Sequence, residues 1–464
     1  MKEQGSRRFF LPSPKHERRH TLRWLLEKEL RELAASRSYW LLLLVVGALV
    51  GHAFMTSVNL YAEASGIGGG PSALSQGLSP LEGIIVPTLG AYDIAATLLF
   101  PFVVIRLIAN EKQTGALALM LQAPASFYTI IAIKGVALIV AWLVAGIVGA
   151  AALLLWSGMG GHLYAPETWT VVLGHLLRGV LTIGVSAAAA ALAASAASAA
   201  ILALTITLGT WALDYVAAAR GGTIAAIAAY TPSAALRVFE HGELRVATVL
   251  ILITLGVGGL LIAASWLEEG ERVERRVARV VAVLLAVAVL CVIFARIRAS
   301  FDVSEDRRNS LPRADESALK QIEQPLHVTV YLAAEDPRLT DLERGVLAKL
   351  RRTMREVDVT YAASSRSGLF ERPNEHYGEV WYELGGKREM TRSTTEPIVL
   401  ESIYNLAGRQ PPTPVNETPY PGYPLAATPA LAPWIFFVIW PLCIVAIWWL
   451  ARRPRNSRLQ PIRA

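Results

Sequence analysis

Asp93, His175 and Arg178 each fall inside a long apolar run. Charged groups are costly in lipid and are retained there for function or for packing. An acid, an imidazole and a guanidinium of this kind can pair and line a polar path through a membrane. The plainer alternatives are that Arg178 snorkels to the interface or that all three only fix helix packing. Arg106 and Lys134 lie near the ends of apolar runs, where snorkelling suffices. Asp214 and Arg220, near the end of another run, read as interfacial.

A second grouping is the stretch 110–126, Asn-Glu-Lys-Gln-Thr-Gly-Ala-Leu-Ala-Leu-Met-Leu-Gln-Ala-Pro-Ala-Ser, between two apolar runs. It reads as a short amphipathic helix. Glu111 and Lys112 would offer charge contacts to a soluble partner, and Gly115 would permit close approach. Leu117, Leu119 and Leu121 would bury against that partner, and Pro124 would end the helix. An ordinary loop helix is the competing interpretation.

Other chemistries find no support. No Gly-x-x-x-x-Gly-Lys-Ser/Thr run cradles phosphates, and Gly385-Gly386-Lys387-Arg388 reads as a hairpin turn. The chain is therefore not expected to be an enzyme, and no cofactor is expected. His162, His241, His327 and His376 are scattered, without metal spacing or a Ser/His/Asp triad. Cys291 and Cys443 both sit in apolar runs and read as small fillers.

The elements that position these residues follow from composition. Hydrophobic residues make up 53% of the chain and charged residues 17%, below the share of about a quarter usual in soluble domains. Runs near 20 apolar residues match the hydrocarbon thickness. The expected fold class is mainly α, a polytopic membrane bundle of about eight spans, at roughly 39–61, 84–108, 127–156, 170–193, 196–217, 246–267, 277–296 and 433–450. The Ala/Ser-rich stretch 186–203 blurs the fourth boundary. No cleavable signal peptide is expected.

The net charge of +7 is concentrated beside apolar runs at both termini, which suits an anionic leaflet and not nucleic acid. Segments 62–83 and 157–169 contain no Lys or Arg and belong outside. Both termini then face the cytoplasm and 299–432 lies outside. Residues 218–245 also fall outside, as a partly apolar segment at the interface.

Residues 20–37 read as an interfacial amphipathic helix, with Leu22, Leu25, Leu26, Leu30 and Leu33 at helical spacing. Between the last two spans, 299–409 reads as a small α/β domain of thioredoxin-like shape. Its parts are a strand at 327–332, a helix at 339–356, a strand at 357–361 parallel to the first, a hairpin over 378–390 and a closing helix at 395–408. It lacks Cys-x-x-Cys, so redox chemistry is excluded. The eight prolines within 410–433 make a semi-rigid spacer.

The 110–126 stretch resembles the coupling helix of ABC-exporter permeases, with a Glu-x-x-x-Gly-Ala-Leu core and a Leu-x-x-Pro ending. Residues 29–38 resemble the elbow helix of the same permeases. Tyr230-Thr-Pro-Ser and Phe239-Glu-His-Gly resemble the permease of gliding-motility-type systems. Phe301-Asp-Val-Ser-Glu through Asn309-Ser-Leu, with Pro325-Leu-His-Val-Thr-Val-Tyr, resembles their auxiliary component, shortened here. The resemblance implies a permease domain over 39–267, a linker and seventh span over 268–298, an auxiliary domain over 299–409, a linker over 410–432, an eighth span over 433–451 and a basic tail over 452–464, in a bacterial inner membrane. It implies a separate ABC-type ATPase subunit, a homodimer or pseudo-dimer with a similar permease, and an extracytoplasmic envelope partner. Two activities stay open: export of an unidentified substrate, or a mechanical or assembly role without solute transport.

Overall fold

The computed structural model describes residues 14–67, 78–115, 126–220, 224, 227–268, 270–333, 336–362, 376–412 and 420–452. Among them are eight helices long and apolar enough to cross a membrane: Arg37–Gly66, Leu81–Thr114, Phe127–Gly158, Ala165–Leu192, Ala196–Ala217, Val246–Leu267, Val273–Ala295 and Ala432–Arg452, the first to eighth spans. An elbow helix, Pro14–Ala35, precedes them. A short helix, Pro232–Glu240, capped by Thr231 accepting from the Ala234 amide, lies between the fifth and sixth. Alternation of the spans gives the bundle an elbow end and a domain end.

The span ends show what apolar length alone misses. The second span continues past its last apolar residue to Thr114, because nothing from Ala109 to Thr114 breaks a helix. It stops at Gly115, which takes the left-handed conformation at φ 71°. Residues 110–114 are thus the final turn of the second span and not the start of a separate helix; residues 116–125 lie outside the described residues. The fourth and fifth spans part at Ala193–Ser195, where Ser195 and Ser198 cap each other's amides reciprocally at 3.1 Å.

Small residues set the closest helix crossings. A Cβ on Gly184 would lie 2.1 Å from the Gly256 carbonyl oxygen, so the fourth and sixth spans meet backbone to backbone. Gly47 and Gly51 leave a groove on the first span that takes Trp440 and Phe436 of the eighth. Trp440 Nε1 also donates to the Leu43 carbonyl at 2.9 Å. Trp142 anchors the centre, edge-on to Tyr92 and Phe100 with centroids 5.6 and 5.0 Å away. The seventh span has no buried side chain.

At the domain end, β1 (Glu243–Arg245) pairs antiparallel with β2 (Ser300–Asp302), fastening the start of the sixth span to the entry of the α/β domain. That domain carries a four-stranded sheet ordered β4-β3-β5-β6. β3 (Leu326–Val330) and β4 (Val357–Tyr361) are parallel, joined by helical residues 337–353. β5 (Val380–Leu384) and β6 (Lys387–Thr391) form a hairpin whose turn needs both Gly385 and Gly386, at φ 58° and 82°. Alternate residues Leu326, Val328 and Val330 with Val380, Tyr382 and Leu384 enter its core against the helix Glu396–Ala407. The described part of the proline-rich linker is bound rather than free. The Tyr423 amide donates to the Leu78 carbonyl, and Tyr61 Oη donates to the Tyr423 carbonyl at 2.8 Å.

Gly184→Ala should therefore cost about 1–3 kcal/mol, because its neighbour is backbone that cannot rotate away. Gly90→Ala, with nothing within 4 Å of its added Cβ, should not destabilise. Thermal unfolding of the two variants in one detergent checks this, and matching midpoints would contradict the tight crossing.

Candidate functional site

At the elbow end the leucine stripe of the elbow helix carries an acid within it. Leu25, Glu29 and Leu33 recur every four residues, share one face and are all buried. Glu29 is only 1% exposed and reaches the third span, where Lys134 Nζ donates to its Oε2 at 2.7 Å. Lys134 also lies 2.8 Å from Glu111 Oε2 at the foot of the second span, an ion contact outside hydrogen-bonding geometry. Lys28 Nζ bridges the other oxygens, 2.5 Å from Glu111 Oε1 and 3.2 Å from Glu29 Oε1, and reaches Glu32 at 3.0 Å. Burial alone would lower the Lys28 pKa, but the Glu111, Glu29 and Glu32 carboxylates hold it above its ordinary value.

Two sequence expectations change here. Lys134, 1% exposed, does not snorkel; it is the centre of a buried ion network. Glu111 does not face outward to a partner, because the network consumes both its oxygens. The Glu29, Glu32 and Glu111 carboxylates also converge within 4.8 Å of one another, a cluster the sequence did not suggest, but the two ammonium groups already lie among them. The signal available was Glu29 on the buried stripe.

Lys112 is likewise spent inward. Its ammonium donates to the Ala191 and Ala193 carbonyls at 2.9 Å each, capping the fourth span. Gly115 ends the second span, and Ser126 starts the third by accepting from the Thr129 amide. Leu117, Leu119, Leu121 and Pro124 lie outside the described residues.

Within the spans, the structure brings Asp93, His175 and Arg178 together. Asp93 Oδ1 accepts from Thr97 Oγ1 at 3.2 Å and lies 3.7 Å from Arg178 Nε and 3.9 Å from His175 Nδ1. All three are buried. Those longer distances are ion contacts, not hydrogen bonds; both His175 nitrogens and Arg178 Nε lack a hydrogen-bond partner among the described residues. A cavity of about 490 Å³ opens beside them between the fourth, fifth and sixth spans, under the helix Pro232–Glu240. Arg178 forms part of its wall, whereas Asp93 and His175 stand behind that wall. Asp214 accepts from Thr231 Oγ1 at 2.5 Å, and exposed Arg106 donates to Ser38 Oγ at 3.2 Å. The Arg220 side chain lies outside the described residues.

The domain end is held by a polar knot. Asp302 accepts from the Ser304 amide and hydroxyl, the Asn309 amide and side chain, and the Ser310 hydroxyl, at 2.6–3.3 Å. Burial alone would raise the Asp302 pKa, but these hydrogen bonds hold it below the ordinary carboxylate range. Glu305 lies 2.9 Å from His162 Nε2 and accepts from Tyr423 Oη at 2.7 Å, while its amide donates to Glu167. Arg308 pairs with Glu82 and donates to Ser79 Oγ at 2.8 Å. His162 and His241 thus belong to this junction, His241 lying 3.8 Å from Glu82. His327 pairs loosely with Asp358 at 3.6 Å, and His376 lies 2.9 Å from Glu379. Cys291 and Cys443 are free thiols.

The eight helices among the described residues that are long and apolar enough to cross a membrane fit a multi-pass membrane protein. No family model, curated protein or solved structure matches this chain.

Lys134→Met should destabilise by about 3–5 kcal/mol, since it strands buried carboxylates. Glu29→Gln with Lys134→Met should recover a measurable part of that loss. Chemical unfolding in micelles, arranged as a double-mutant cycle, reads the difference. Asp302, with a depressed folded pKa, contributes stability fully present above its unfolded value of about 3.9 and lost as pH falls below it. Asp302→Asn should therefore lower the melting temperature at pH 7 and flatten its decline between about pH 4 and 2; an unchanged acid slope would contradict this.

Proposed function

We propose that this chain is the permease subunit of an ABC exporter of the gliding-motility type, fused to a shortened auxiliary domain and driven by a separate ATPase subunit. The observation that carries this is the ion joint of Glu29, Lys134, Glu111 and Lys28. It fastens the elbow helix to both spans that flank residues 116–125. A push on such a connector displaces two spans and the elbow together instead of bending one loop. Nucleotide chemistry stays on the partner, and the bundle converts docking beneath it into a shift between two span arrangements.

The rest of the reading follows from that assignment. The elbow end faces the cytoplasm of a bacterial inner membrane and the α/β domain lies outside. The β4-β3-β5-β6 order, with one parallel pair and one hairpin, supports a thioredoxin-like description of the domain. Two copies, or one copy with a similar permease, would form the membrane core, and the domain would meet an envelope partner. A mechanical role without solute transport has one observation in its favour. The domain is fastened directly to the bundle through β1–β2, Arg308 and Glu305, so bundle motion would reach it.

The test is made on the connector itself. Leu117→Asp and Leu119→Asp, co-expressed with a candidate ABC-type ATPase subunit that binds the unaltered chain, should abolish the complex and return ATP turnover to that of the isolated ATPase. The permease should keep its unfolding temperature. A complex that survives both substitutions, or a cysteine at position 119 that labels only from the periplasmic side, overturns the assignment.

A further inference from the structure

We propose that the cavity between the fourth, fifth and sixth spans binds a single-chain anionic amphiphile, its acidic head on Arg178 and its hydrocarbon tail along the apolar wall. This rests on the exporter reading only in calling the ligand a substrate.

Arg178 points to the head group. Its guanidinium is 3% exposed, lines the cavity and makes no hydrogen bond among the described residues. Its charge contact there is Asp93, 3.7 Å from Nε, whose Oδ1 already accepts from Thr97. A buried guanidinium without an acceptor is expensive, and a carboxylate or phosphate oxygen pair satisfies it in fork geometry. Among the described residues, no carboxylate lines the cavity. The other lining guanidinium, Arg245, is already held at two points by Glu243, 2.8 Å each.

The hydroxyls define what stands beside the head. Thr182, Thr207 and Thr210 line the cavity, and each donates its proton to a helix carbonyl, of Arg178, Ala203 and Thr207 respectively. Their oxygens remain acceptors, so they suit a hydroxyl or amide N–H next to the acidic group, while the lining hydroxyls of Ser186 and Thr248, which make no hydrogen bond among the described residues, can donate to the head. Leu, Ile, Val and Ala side chains form most of the remaining wall.

Size and access fit one chain. A volume of about 490 Å³ is within the ~300–1,000 Å³ of small-molecule sites. Ile206, midway along the fifth span, and Tyr230 both line the cavity and are 45% and 70% exposed, so it is reachable from the side. A ligand of lipid-like character enters there without crossing the bundle.

The experiment uses the full chain in phosphatidylcholine nanodiscs and equilibrium binding of radiolabelled dodecanoate. Saturable binding is expected, displaced by monododecyl phosphate but not by dodecyltrimethylammonium or inorganic phosphate at equal concentration. Arg178→Gln should weaken binding at least tenfold. Ile251→Trp, which fills the cavity and leaves the guanidinium in place, should do the same with an unchanged unfolding temperature. If Arg178→Gln does not fold, the Ile251→Trp variant decides. Unaltered binding in folded Ile251→Trp, equal competition by the cationic amphiphile, or equal competition by inorganic phosphate overturns the site. Loss of the ATPase complex in Leu119→Asp leaves this binding untouched, so the two proposals fail separately.

Discussion

Lys134 holds the elbow end together. A lone ammonium at 1% exposure is unaffordable in a bilayer, and so is a lone carboxylate at Glu29 or Glu111. Each is tolerated only because the others and Lys28 are present, so the elbow helix and the second and third spans must meet for these faces to be buried. Hydrophobic packing alone does not impose this in lipid, where tails solvate leucine as well as a neighbouring helix does. The charges give the joint its register, and the leucines around Glu29 then fill the space the register leaves.

The two ends of the bundle are built from different materials. Ion contacts with little hydrogen-bonding redundancy fix the elbow end, while short hydrogen bonds to one carboxylate, Asp302, fix the other. The first arrangement is tightly shared, because each buried carboxylate meets both Lys28 and Lys134 and the loss of either ammonium halves its partners. The second is graded, because Asp302 has five donors and survives the loss of one. Between them, the Asp93, His175 and Arg178 group is neither tightly paired nor solvated. Such loosely satisfied polar groups occupy the part of the bundle where the fourth, fifth and sixth spans leave room.

Much of this architecture is legible from apolar run length and alternation. The eight spans lie where those runs lie, and the parallel pair, hairpin and closing helix follow the period-two and period-three-to-four patterns of 326–407. Ends and joints are harder to read. Thr114 ends a helix because Gly115 follows it, not because the residues before it are polar. Glu29 was hidden by the leucines that share its face, since amphipathic periodicity marks where apolar residues fall and says nothing about an acid among them. Lys134 looked like a snorkelling lysine because distance to a span end is visible in sequence, whereas a partner 105 residues away is not. Asp93, His175 and Arg178 could be grouped by their cost in lipid, but the cavity beside Arg178 depends on how spans splay, which no linear pattern encodes.

The seventh span, Val273–Ala295, has no buried side chain and meets the bundle along the sixth span, where Gly258 receives Val287. The consequence is mutational. On most of its perimeter one apolar residue is as good as another, so drift there is constrained by length and oil solubility instead of shape. Its neighbour, fitted glycine against backbone, has almost no such freedom. Two adjacent helices of similar hydropathy should thus accumulate change at very different rates, and the rate itself would mark which of them the protein leans on.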